Sequence, residues 1–155
     1  MFKHLLLPTD GSPLSEAAVR MGIRFAKSIN AKVTGFHAMP KFRVFTYRTE
    51  MLQDTRDEFA RDSQAHAQKY LAVVEQAARE AGVSCDVARA TSDFPYEAII
   101  EAAEENGCDL IMMASHGRGG MQALLLGSET HKVLTYCPIP VLVYRADRAP
   151  AASAK

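Results

Sequence analysis

Asp109-Leu110-Ile111-Met112-Met113-Ala114-Ser115-His116-Gly117-Arg118-Gly119-Gly120 passes without a break from an almost wholly apolar strand into a glycine-rich loop. Five consecutive apolar residues without alternation describe a strand buried on both faces, as in parallel sheets covered by helices on each side. The rest of the chain follows the same pattern. Phe2 to Leu7 is a first short apolar strand. Ser12-Pro13 reads as an N-cap followed by proline at the first helical position, and Ala17, Ala18, Met21, Phe25 and Ile29 recur at helical spacing up to Asn30. Ala31 to Ala38 is a second strand, stopped by Pro40. A long helix occupies about Met51 to Ala81 and ends at Gly82. Val83 to Ala90 is a third strand. A helix opened by Asp93 or Phe94 follows and ends at Asn106-Gly107. After the fourth strand, a helix beginning at Gly127-Ser128 runs to Tyr136, and Ile139 to Tyr144 is a fifth strand.

Five apolar strands alternating with four helices predict a single α/β domain, a doubly wound parallel sheet of Rossmann-like type with right-handed crossovers. If the first strand lies beside the fourth, the strand order reverses there and a ligand crevice opens at their carboxyl ends. The connection from Lys41 to Asp54, with Phe42, Phe45 and Tyr47 among Lys41, Arg43 and Arg48, has no clear period. It either covers a site or packs its own aromatics. Residues 146–155 are small and are expected to form a flexible tail beyond a domain spanning 1–145.

Bulk properties narrow the function. The 155 residues suit one domain, and 18 basic residues against 18 acidic ones give no net charge. That balance argues against nucleic-acid or anionic-membrane binding. The amino-terminal apolar run is too short for a signal peptide, and nothing approaches a membrane span. Cys85, Cys108 and Cys137 are odd in number and widely spaced, which fits a reducing cytoplasm and buried small hydrophobes. Glu97, Glu101, Glu104 and Glu105 read as a solvated helix face, and His4, His37, His66 and His131 as structural or exposed.

The chemistry concentrates in two loops, Pro8-Thr9-Asp10-Gly11-Ser12 after strand one and Ala114 to Gly120 after strand four. Gly117, Gly119 and Gly120 let backbone N–H groups approach an anion and adopt positive φ. Arg118 adds charge, and Gly127-Ser128 opens a helix whose free N–H groups favour phosphate, with hydroxyls from Ser128 and Thr130. A flexible glycine turn followed by a routine helix start accounts for the same spacing. Asp10 is the strongest single candidate; an Asx turn that caps the next helix is its other reading, compatible with the first. His116 either contacts phosphate or is simply solvated. The Walker lysine pattern, the third glycine of a dinucleotide fingerprint, HExxH and GxSxG are all missing.

Ala114-Ser115-His116-Gly117, nine residues, then Gly127-Ser128 resembles the nucleotide signature of the universal stress protein family, with alanine in place of its first glycine. Leu5-Leu6-Leu7-Pro8-Thr9-Asp10-Gly11-Ser12 resembles the family's start, and Asp109 to Met113 and Pro140-Val141-Leu142-Val143 resemble its later segments, so the resemblance extends to about Arg145. It implies the sheet order 3-2-1-4-5, the adenine-nucleotide α-hydrolase-like fold, and ATP as ligand, with Mg or Mn as a possible companion. By position, Pro8, Thr9 and Asp10 would flank the ribose or base. Ala38 would offer its backbone to adenine, and Met113 would line the ribose or base side. Gly117, Gly127, Ser128 and Thr130 would hold the phosphates, Ala114, His116 and Glu129 belong to the same nucleotide-binding set, and Arg118 and Gly119 are added on chemical grounds. Alanine at 114 costs on the order of 1 kcal/mol if the position needs positive φ and nothing if it needs only a small residue.

The expected function is therefore a cytoplasmic, dimeric stress-response module that binds ATP, acts through partners and hydrolyses ATP slowly at most, since no general base is evident. The dimer would pair strand five, Val141-Leu142-Val143-Tyr144, across a two-fold axis. The alternative is an interaction protein of the same fold without a nucleotide. A third possibility, an adenylating enzyme of the related α-hydrolases, is disfavoured because Thr9-Asp10-Gly11-Ser12 replaces the Ser-Gly-Gly-x-Asp-Ser loop of those enzymes.

Overall fold

The computed structural model describes residues 1–43, 52–118 and 126–146, without the side chains of 52–54. The elements run β1 (His4–Pro8), α1 (Pro13–Ser28), β2 (Lys32–Met39), α2 (Leu52–Ala81), β3 (Cys85–Thr91), α3 (Pro95–Glu105), β4 (Leu110–Ala114), α4 (Ser128–Tyr136) and β5 (Val141–Tyr144). The sheet has the order β3-β2-β1-β4-β5, and every pairing is parallel.

Alternation along β1 divides the core in two. Leu5 and Leu7 pack with Val19, Ile23 and Ala26 of α1 and Val74 and Ala78 of α2. Leu6 points the other way, toward Ala98, Ile99 and Ala102 of α3 and Val133 of α4. All three leucines have no exposed surface, and burying each contributes about 1.5–3 kcal/mol. The adjacency of β1 and β4, which patterning leaves open, is pinned at its base. The Asp109 carboxylate accepts the N–H groups of Lys3 (2.8 Å) and His4 (3.0 Å), and Asp109 N–H donates to the His4 carbonyl.

Several boundaries differ from expectation by one or two residues, the larger shifts for local reasons. β1 starts at His4 rather than Phe2 because the N–H groups of Lys3 and His4 go to the Asp109 side chain. β3 starts at Cys85 rather than Val83, whose N–H closes the end of α2 on the Ala78 carbonyl. Gly82 (φ +71°) and Gly107 (φ +65°) end α2 and α3 in the left-handed region, as the sequence predicts. β5 starts at Val141 because Pro138 and Pro140 lack the N–H that a ladder needs. Met51, most of the 41–54 connection and all but Ala146 of the expected tail lie outside the described residues. No helix among the described residues is long and apolar enough to cross a membrane.

Candidate functional site

Placing β1 beside β4 brings their carboxyl ends together, and a crevice of about 490 Å³ opens there. That volume falls within the roughly 300–1,000 Å³ typical of small-molecule sites. Thirteen of the fourteen site residues expected from sequence line it; Gly119 lies outside the described residues.

The β1 wall consists of Pro8, Thr9 and Asp10. Thr9 N–H continues the ladder to the Phe36 carbonyl (2.8 Å), which holds the loop against β2. Asp10 Oδ1 accepts Ser12 N–H at 2.9 Å, the expected Asx turn, and Ser12 in turn caps α1 through Ser15 N–H (3.2 Å). Asp10 Oδ2 accepts Arg118 N–H at 2.8 Å. Burial alone would push the Asp10 carboxyl up, but hydrogen bonds from Ser12, Ser15 and Arg118 outweigh it and hold the carboxyl below its ordinary range.

The β4 wall consists of Met113 and Ala114, then His116, Gly117 and Arg118. Ala114 pairs with Tyr144 inside the strand. Among the described residues only Asn30 is a non-glycine with positive φ, so Ala114 carries no left-handed strain. Gly117 is likewise outside the left-handed region, contrary to the expected positive φ. Its requirement is space: a Cβ there would lie 2.6 Å from Asp10 Oδ2. His116 Nδ1 lies 3.2 Å from Ser115 Oγ.

Arg118 differs from expectation. Its Nε donates to the Asp10 carbonyl (2.9 Å), and a terminal nitrogen donates to Tyr70 Oη (3.0 Å). Its guanidinium lies 5.4 Å from the Tyr70 ring centre. The side chain bridges the β1 loop to α2, so it is not a free phosphate clamp.

The third wall is the start of α4. Gly127 N–H donates to the Ser115 carbonyl (2.7 Å), and a Cβ on Gly127 would come within 3.0 Å of His116 Cα, so the loop and helix meet backbone to backbone. The first intrahelical bond of α4 is from His131 N–H to the Gly127 carbonyl, and no side chain caps this end. The N–H groups of Ser128, Glu129 and Thr130 are therefore left at the positive end of the helix dipole, beside the crevice. The other helix starts differ: Ser12 caps α1, and Glu129 Oε2 accepts Tyr96 N–H (2.9 Å) in the first turn of α3. Thr130 is buried and its hydroxyl donates to the Ala114 carbonyl (2.9 Å), so it locks α4 onto β4 and has no proton left for a ligand.

Sequence reasoning missed Ser15, Phe36, His37, Pro95 and Ile99, which also line the crevice. Phe36 and His37 directly precede Ala38 on β2, and the strand order alone would have found them. His37 Nδ1 donates to the Thr9 carbonyl at 2.8 Å, and its ring meets Tyr70 edge-on. Pro95 and Ile99 come from α3 and complete an apolar end with Phe36, Ala38 and Met113. Three or more potential metal ligands do not cluster anywhere among the described residues.

Fold and crevice together define a doubly wound α/β domain with a crevice at its topological switch point, where domains of this class bind small molecules. Comparison with known proteins makes this specific. The profile of the universal stress protein family matches residues 1–145. A universal stress protein of Thermus aquaticus is 32% identical over 94% of this chain and 100% of its own length. YxiE of Bacillus subtilis is 29% identical with the same coverage. Among solved structures, the protein MJ0577 superposes with a TM-score of 0.80 at 25% identity, covering 96% of this chain and 99% of its own. A universal stress protein in complex with cAMP gives 0.66 at 23% identity, covering 94% and 99%, and one from Archaeoglobus fulgidus in complex with dAMP gives 0.64 at 16%, covering 94% and 98%. The chain belongs to the universal stress protein family.

Proposed function

We propose that the crevice binds an adenine nucleotide, with ATP, accompanied by Mg or Mn, as the full-length ligand. The carrying observation is the uncapped start of α4, which presents the N–H groups of Ser128, Glu129 and Thr130 to a crevice whose other end is apolar. A phosphate suits the first and a base the second. In this reading Phe36, Ala38, Pro95, Ile99 and Met113 enclose the base, and the Ala38 backbone gives it polar contacts. Asp10, flanked by Pro8 and Thr9, faces the ribose. Gly117, Gly127, Ser128 and His116 surround the phosphates, with Gly119 following in the same loop. Two fold neighbours solved with cAMP and dAMP are consistent with it, though at 23% and 16% identity they speak for the fold alone.

Turnover would be slow at most. Among the described residues both crevice carboxylates are engaged, Asp10 by Ser12 and Arg118 and Glu129 by Tyr96 and Lys132, so neither is free to act as a base for an attacking water. The role that follows is a cytoplasmic sensor acting through partners. Pairing of the β5 edge would form the homodimer, and Leu142, 41% exposed there, is the residue it would cover. A balanced charge gives no basis for nucleic-acid or membrane partners. The second reading, an interaction module without nucleotide, has exposed Leu134 and Tyr136 on α4 in its favour. Denaturing the purified protein and identifying released small molecules by mass spectrometry separates the two. An adenine nucleotide near one per chain supports the first; none, together with a flat ATP titration, supports the second.

A further inference from the structure

The charges around the crevice are not those of a polyphosphate clamp. Among the described residues two carboxylates line it, Asp10 and Glu129, and the one lining arginine or lysine there, Arg118, is held by the Asp10 carbonyl and Tyr70. Residues 119–125, which follow Arg118, contain no ionisable side chain. Glu129 is the second residue of α4, so its negative charge stands within the same helical turn as the N–H groups that would receive phosphate. Its carboxylate is fixed there by two contacts. Oε2 accepts Tyr96 N–H at 2.9 Å and Oε1 meets Lys132 Nζ at 3.2 Å. Lys132 offsets that charge only in part: both partners are partly exposed, their pairing is partly screened by solvent, and Lys132 does not line the crevice.

We infer that Glu129 sets the charge preference of the site, so that a nucleoside monophosphate binds more tightly than metal-free triphosphate. The inference rests on the nucleotide reading and deepens it. Each additional phosphate brings negative charge toward a wall that already carries one, and a Coulomb repulsion at partly solvated distances is worth roughly a factor of ten in affinity. A divalent cation bound to the triphosphate would relieve it.

The test is calorimetric titration of wild type and Glu129→Gln with adenosine, AMP and ATP in the presence of a chelator. Glutamine keeps an acceptor for Tyr96 N–H and removes the charge. Wild type is expected to bind AMP more tightly than ATP, and Glu129→Gln to raise the ATP-to-AMP affinity ratio roughly tenfold, with adenosine affinity unchanged and the gain shrinking at high salt. A ratio that Glu129→Gln leaves unchanged overturns the inference and leaves nucleotide binding standing. Equal shifts for adenosine, AMP and ATP also overturn it, because they mean that Glu129 acts only by bracing α3. Absence of binding by all three ligands to both proteins removes the nucleotide reading and this inference with it.

Discussion

Asp10 Oδ2 accepts the backbone N–H of Arg118 at 2.8 Å across 108 residues of sequence. With the bond from Arg118 Nε to the Asp10 carbonyl it joins the two loops that flank the crevice, and the same carboxylate's other oxygen holds the turn into α1. Gly117 is what lets it form, because any side chain there would meet that oxygen. Asp10→Ala should therefore leave the part-buried Ser12 N–H unsatisfied and remove the acceptor of the exposed Arg118 N–H. A loss of about 1–3 kcal/mol in urea unfolding is expected, with weaker nucleotide binding.

The latch should also be sensitive to acid. The Asp10 carboxyl is held below its ordinary 3.8 because burial, which raises it, is outweighed by the hydrogen bonds it accepts from Ser12, Ser15 and Arg118. A carboxyl depressed in the folded state contributes stability that is complete above its unfolded value and lost as the pH falls through the folded one. Asp109 is depressed in the same way: burial raises it, and the N–H groups of His4 and Lys3 more than compensate. Unfolding measured from pH 6 down to pH 2 should show stability falling below about pH 4, and the fall should be shallower in Asp10→Ala.

His4 adds a separate pH dependence. Burial, with Lys32 nearby, lowers its pKa from 6.5, and its Nε2 lies 2.7 Å from Thr34 Oγ1. Its contribution is complete above pH 6.5 and declines as the pH falls through the lowered value. His4→Gln should flatten the stability profile between about pH 7 and pH 5.

Ala114→Gly tests the one departure from the family's nucleotide signature. Ala114 sits unstrained in β4, so glycine relieves nothing. The expected outcome is unchanged ATP affinity and a stability loss of about 0.5–1 kcal/mol from added chain entropy, read by calorimetry and thermal unfolding. A large gain in affinity would mean that the methyl itself obstructs the ligand.

Cysteine reactivity offers an independent check on the core. Burial pushes the Cys108 thiol up to about 11, and the side chain is buried against the Ile99, Ile111 and Val133 cluster. Labelling with a thiol reagent at pH 7.5 should reach the half-buried Cys85 and Cys137 first and Cys108 only on unfolding.

The fold was legible because β1 and β4 are unbroken apolar runs and the helices between strands carry capping signals at Ser12-Pro13, Gly82 and Gly107. Strand adjacency was not, since it depends on the Asp109 side chain reaching Lys3 and His4, a contact between residues more than a hundred positions apart. The same limit explains what was misread at the site. Spacing locates Arg118 and Thr130 and suggests an added charge and a hydroxyl donor, but not their partners, which come from the β1 loop, α2 and β4. His37 is structural, as one of its two sequence readings has it, but nothing local indicates its bond to the Thr9 carbonyl or its place in the crevice lining.

The central claim is that the crevice at the start of α4 takes an adenine nucleotide. Titration calorimetry of AMP and ATP, with and without Mg, into wild type and Gly127→Val tests it most directly. A Cβ there already lies 3.0 Å from His116 Cα, so valine crowds that backbone and is expected to narrow the phosphate end. Binding near one per chain to wild type, lost in a Gly127→Val protein that remains folded by circular dichroism, is the predicted result. No heat from either nucleotide at millimolar concentration, or equal binding by the two proteins, would contradict it.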